Sequence, residues 1–202
     1  MKTTTLLGNT SNSPKEVKVP MNPQPQTDLQ KRIQESVNTH ASKTQGRKQD
    51  YLVIHCTATP EGRNVTSAEI KIWHTSPPPK GNGWKHVGYT HIFHLNGGVE
   101  QLVANDDDGW VDTWEVTNGV AGYNSNSKHI CVVGGLSKDG KTAKDTRTPE
   151  QKKSLEKFVK DFHKKHPTVH ICGHNELASK ACPSFDVQAW LKSIGIKNPK
   201  IY

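Results

Sequence analysis

No stretch of this sequence approaches the ~18 consecutive apolar residues that a membrane-spanning helix needs, which excludes a helical transmembrane segment. The opening residues, MKTTTLLGNTSNS, hold a lysine but no apolar run of about 7–15 residues, so no secretory signal is read and synthesis in the cytoplasm is expected. Hydrophobic residues make up only 32% and aromatic residues 6%, too few for the whole length to be packed core. Cysteine is scarce. Cys56, Cys131, Cys172 and Cys182 lie far apart with no C-x-x-C pair, so they are expected as reduced thiols, with one or more free to ligate a metal. There is no internal repeat and no recognisable nucleic-acid-binding motif, so nucleic acid is not expected as a partner. There is also no heptad and no exposed apolar stripe, and a monomer is expected.

What is present divides unevenly along the 202 residues. Residues 1–50 are dominated by Ser, Thr, Asn, Gln, Lys and Pro, and read as a polar, basic N-terminal extension that is partly disordered or bound to a partner. Residues 51–202 carry nearly all the Trp, Phe and Ile, and about 150 residues suffice for one self-folding domain. The formal net charge is +8, which implies attraction to a polyanion. An anionic cell envelope and nucleic acid both fit that charge, and charge alone does not choose.

The extension opens with Pro14, Pro20, Pro23 and Pro25, an extended arm. Leu29, Ile33 and Val37 at i, i+4 and i+8 mark a short amphipathic helix within 28–42, and 43–50 reads as a basic linker. In the domain, 51–55 is an apolar run that predicts a buried strand. Thr66 with Glu69 forms a capping box, so a helix starts there and stops before Pro77-Pro78-Pro79. Alternation over 89–95, then Asn96-Gly97-Gly98, then 99–103 predicts a β-hairpin. Residues 104–119 read as a polar loop holding Trp110 and Trp114, and 129–133 as another strand. Thr148-Pro149-Glu150-Gln151 starts a helix whose Leu155, Phe158, Val159 and Phe162 share a face. A strand over 169–172 and a helix over 186–194 complete an α/β fold, a single mixed central β-sheet with flanking helices.

Three residues suggest chemistry. His55 ends the first strand, His174 follows a later one, and Cys182 comes eight residues on, before a proline. Two imidazoles and a thiolate supply three corners of a tetrahedral zinc site and leave the fourth for water. With 11 histidines in the chain, spacing alone does not choose between that and hydrogen-bonded structural histidines.

Residues 51–190 resemble the type-2 N-acetylmuramoyl-L-alanine amidases, a family that includes small phage endolysins and shares its fold with the animal peptidoglycan recognition proteins. The segments that carry the resemblance are YLVIHCTAT at 51–59, Val87-Gly88-Tyr89, Gly122-Tyr-Asn-Ser-Asn-Ser127 with Cys131-Val-Val-Gly-Gly135, and Gly173-His-Asn-Glu with Lys180-Ala-Cys-Pro-Ser-Phe-Asp186. The resemblance implies one Zn2+ ion held by His55, His174 and Cys182, and Tyr89 and Lys180 as catalytic side chains. It implies hydrolysis of the lactyl–L-alanine amide of bacterial peptidoglycan by a phage endolysin that stays in the host cytoplasm until release to the wall. Two alternatives stay open: a virion-associated hydrolase held to a virion protein or an anionic envelope through residues 1–50, and a binding protein without catalysis.

Other residues have plainer readings. Tyr89 alone could be a strand aromatic and Lys180 a solvated lysine. Cys56, Cys131 and Cys172 read as core thiols and His170 as structural; His74, His86, His91 and His94 have no nameable partner. Trp110 and Trp114 either stack on sugar or cap an edge of the fold. Many relatives carry His-Ala just before the Gly-Tyr-Asn segment where this chain has Gly119-Val120, and loop 104–119 is longer than in the smallest relatives. Both departures point at peptide preference.

Overall fold

The computed structural model describes residues 46–199. The extended arm, the amphipathic segment over 28–42 and the start of the linker lie outside the described residues.

The fold is organised around β2 (Tyr51–Cys56), whose unbroken apolar run leaves five of its six residues buried. Such a run suits a strand covered on both faces. It pairs in parallel with β7 (Ser127–Val132), buried throughout, and with β9 (His170–Gly173). β4 (His91–Phe93) runs parallel to β7 on its far side. β5 (Val99–Gln101) closes that edge antiparallel to β4, through a turn in which Gly97 adopts φ +79 and donates to His94 O. The order is β5–β4–β7–β2–β9. Parallel neighbours need long crossovers; the one from β4 to β7 carries no α-helix, while helices lie on the paths from β2 to β4 and from β7 to β9.

The first crossover helix, α1 (Ser67–Thr75), begins at the expected capping box: Thr66 accepts from Glu69 N, and Glu69 accepts from Thr66 N. α2 (Pro149–Lys165) carries a second capping box between Thr148 and Gln151. α3 (Val187–Ser193) is capped by Asp186. On one face of the sheet, Leu155, Val159 and Phe162 of α2 and Val187 and Leu191 of α3 pack against Leu52, Ile54, Phe93, Ile130, Val132 and Ile171. Each such side chain contributes about 1.5–3 kcal/mol on burial. On the other face, Val65 and Ile70 pack on Ile92 and Val133, while Val120 and Tyr123 cover Val53 and Cys172. Among the described residues no helix is long and apolar enough to cross a membrane.

One segment departs from the sequence reading. Residues 46–50, expected to end a linker, belong to the folded unit. β1 (Arg47–Lys48) pairs antiparallel with β6 (Trp110–Val111), which lies inside the stretch expected as a loop. Gly46 N donates to Asp112 Oδ1 at 2.8 Å, Gln49 N to Gly109 O at 2.9 Å, and Gln49 is buried. The loop itself is pinned by Glu115, which accepts from Asp106 N and Asp112 N. These bonds are made by the backbone of short polar segments and leave no hydrophobic period in the sequence. A further two-stranded ladder joins β3 (Thr59–Pro60) to β8 (Gly135–Leu136).

Candidate metal centre

Parallel strands end together, so the residues just past their carboxyl ends gather at one edge of the sheet, the usual place for a ligand site in open α/β folds. His55 lies near the carboxyl end of β2, and His174 comes directly after β9 in a short 3-10 turn, His174–Glu176. The return to Cys182 is held by Asn175 N donating to Cys182 O at 2.8 Å. Glu176 reinforces the turn by accepting from Gly173 N and from Gln188 Nε2. The result brings one donor atom each from His55, His174 and Cys182 within 4.8 Å of one another. Donors about 3.5 Å apart are what bonds of about 2.0–2.3 Å in a tetrahedral zinc site require. His55 Nδ1 and Cys182 Sγ, at 3.7 Å, already match.

The electrostatics fit a cation. His55 is buried, and burial, with His129, His174 and His74 around it, holds its pKa well below the ordinary value. Burial and the charge of Lys180 lower that of His174. Both are therefore neutral imidazoles at neutral pH, the form that ligates metal. Cys182 is subject to opposing influences. Its hydrogen bond with Cys56 and its burial push the thiol up, while Cys56 N donates to its Sγ at 3.1 Å and favours the thiolate. A divalent cation would decide in favour of the thiolate, since a coordinating thiol loses its proton.

Tyr89 sits just before β4, its ring 5.2 Å from that of His55 and 5.1 Å from that of His74. Burial and the nearby thiols Cys131, Cys182 and Cys56 raise its phenol well above the usual value, so it keeps its proton. Lys180 is exposed on the loop that leads to Cys182, close enough for its charge to act on His174. All five residues singled out in the sequence thus converge on one end of the sheet.

Several neighbours carry no signal in the sequence. His74 accepts a hydrogen bond from Gly88 N at 3.0 Å, fixing the turn that presents Tyr89, and the partly exposed Trp84 packs on its ring at 4.9 Å. His129 on β7 is fully buried, with Nδ1 3.1 Å from His55 Nε2. Burial, and then His174, push its pKa down to about 3. Cys131 and Cys172 are core thiols, as expected, but Cys56 lies against Cys182 and Ser184 as well. Gly135 leaves room for it: a Cβ there would lie 2.4 Å from Cys56 Sγ. His170 bonds Pro199 O, a structural role. Trp110 lies on β6, and Trp114 donates to Asp112, so both belong to the β1–β6 edge.

Comparison with known proteins agrees with this arrangement. The sequence profile of the family described as N-acetylmuramoyl-L-alanine amidase matches residues 45–185. The endolysin of Enterobacteria phage K11 is 35% identical over 150 residues, covering 74% of this chain and 90% of the relative. The endolysin of Escherichia phage T7 is 37% identical over 141 residues, 70% of this chain and 84% of the relative. Among solved structures, the Ph2119 endolysin from Thermus scotoductus MAT2119 bacteriophage Ph2119 shares the fold with a TM-score of 0.56 at 24% identity, over 77% of this chain and 90% of that one.

Proposed function

The chain belongs to the N-acetylmuramoyl-L-alanine amidase family, and from that premise we propose that it is a phage endolysin that cleaves the amide between the lactyl group of N-acetylmuramic acid and L-alanine in bacterial peptidoglycan, with one zinc ion held by His55, His174 and Cys182. The observation that carries the metal reading is the convergence of two imidazoles and a thiol at the carboxyl ends of β2 and β9. Such an ion supplies a bound water of lowered pKa and polarises the scissile carbonyl.

The protein's own groups do the rest. His55 and His174 stay neutral through burial, so neither has to lose a proton before ligation. Tyr89 holds its proton at neutral pH and therefore works as a hydrogen-bond donor at the reacting centre, orienting the attacking group or relaying a proton to the departing nitrogen. Lys180, the exposed cation on the loop that leads to Cys182, stabilises the oxyanion as charge develops on the carbonyl oxygen. Trp84 packs on His74, and His74 packs in turn on Tyr89.

The test is digestion of purified peptidoglycan followed by mass spectrometry of the new ends, with and without a zinc chelator and with Cys182→Ser alongside. Free stem peptides beginning at L-alanine, lost with chelator and in the variant, are the expected result. Zinc-loaded protein that binds several wall types yet releases nothing would replace this reading with that of a peptidoglycan-binding module.

A further inference from the structure

His129 lies outside the ligand set, yet the fold makes room for it. Gly119 has no side chain, and a Cβ built there would lie 2.3 Å from His129 Cγ and 2.4 Å from Nδ1. The imidazole therefore fills the space that any larger residue at 119 would claim. Cys131 and Val53 share its side of the sheet, and the parallel register of β7 against β2 puts His129 opposite Val53, two residues before His55. From there its Nδ1 reaches His55 Nε2 at 3.1 Å. Its own Nε2 is buried with no partner among the described residues. A buried N–H without an acceptor costs stability, so fold stability does not account for a histidine here. A leucine would fill the space without that cost.

We propose that His129 is a positioning residue for the metal centre: it accepts the Nε2–H of His55, and so fixes both the tautomer and the ring orientation that present His55 Nδ1 to the cation. The inference rests on the metal reading above. His55 Nδ1 faces Cys182 Sγ at 3.7 Å, so Nδ1 is the ligating nitrogen and the proton must sit on Nε2. The only group bonded to that nitrogen among the described residues is His129 Nδ1. Metal-bound histidines ordinarily give their second N–H to a carboxylate, a carbonyl or water; here a second imidazole takes that place. His129 then carries its own proton on Nε2. Its burial at the sheet interior excludes it from contact with substrate, so its effect passes through His55 alone.

The experiment compares the full chain with His129→Leu and His129→Asn, measuring zinc affinity by chelator competition, the visible spectrum of the cobalt-substituted protein, and thermal stability without metal. Asparagine keeps an acceptor oxygen near the place of Nδ1, whereas leucine keeps only bulk. His129→Leu should bind zinc about 10- to 100-fold more weakly, with an altered cobalt spectrum and a metal-free melting temperature no lower than that of the unmodified chain. His129→Asn should recover most of the affinity. Equal zinc affinity in the leucine variant, or equal losses in both variants, overturns the proposal. Nitrogen-15 NMR of the zinc-loaded unmodified chain tests it without any substitution: His129 should be protonated on Nε2, and protonation on Nδ1 overturns it. If the unmodified chain binds no zinc, the metal reading itself fails and this inference goes with it.

Discussion

His55 can ligate a cation at neutral pH because its surroundings strip it of its proton: it is buried among three other imidazoles, each of which disfavours a second positive charge. Tyr89 and Lys180 differ from it in kind, since one is a half-buried phenol that keeps its proton and the other a basic side chain exposed on a loop. Tyr89→Phe retains the ring that packs on His55 and His74 and removes only the hydroxyl. It should lower kcat by about 10²- to 10⁴-fold while zinc affinity, read by chelator competition, stays the same; a parallel loss of zinc would mean the phenol supports the ligands instead. Lys180→Ala should lower kcat by a similar 10²- to 10³-fold. The sequence could single out His55, Tyr89, His174, Lys180 and Cys182 as candidates because each sits in a short contiguous motif. His129 and His74 were not. A histidine inside a strand carries no mark of which neighbour it faces, and only the register of β7 against β2 brings His129 to His55.

Helix starts were the most legible elements, since Thr66–Glu69 and Thr148–Gln151 state their capping boxes in four residues each. The α2 box does more than start a helix. Thr148 Oγ1 donates to Leu95 O, and the buried Gln151 amide donates to both Phe93 O and Val133 O, so the helix start is bolted to β4 and to the end of β7. Thr148→Ala should therefore cost about 1–2 kcal/mol in urea unfolding, at the upper end for a lost N-cap. Leu155→Ala, at the centre of the α2 core, should cost about 2–5 kcal/mol. Activity per folded molecule should survive both, because neither residue belongs to the candidate metal centre. The β1–β6 pair was illegible for the opposite reason. Its bonds are backbone to backbone between two-residue strands, and Gly46 approaches the chain so closely that a Cβ would fall 2.0 Å from Val111 O. Removing residues 1–50 should lower the melting temperature by several degrees relative to removing residues 1–44, since only the longer deletion breaks these bonds.

At the scale of the whole molecule, sheet order was not readable, because alternation and caps identify strands and helices but not which strands adjoin. The order that emerged also makes Asp107 one of the carboxylates that contribute to acid stability. Asp107 is pushed up by burial, but Lys128 and Lys165, which donate to it, and His166 beside it more than offset this and hold it at about 2. A carboxyl depressed in the folded state stabilises the protein above its unfolded pKa near 3.8 and loses that contribution as pH falls toward 2. With Asp107 about a third exposed, the stake is about 1 kcal/mol after allowance for solvent screening. Urea unfolding should show that decline between about pH 4 and 2, and Asp107→Asn should flatten it while lowering stability at neutral pH, because Lys128 is left buried without its counter-charge. Net charge acts over a longer range. With 27 Lys and Arg against 19 Asp and Glu, the chain carries a positive field that salt screens beyond about 10 Å at 0.1 M, and on the proposed reading that field draws it to an anionic wall. Raising ionic strength should therefore raise KM on intact cell wall with little change in kcat, and should leave hydrolysis of a small soluble muropeptide nearly untouched. An equal loss on both substrates would place the salt effect at the candidate site, around Lys180, instead of in the long-range field of the chain.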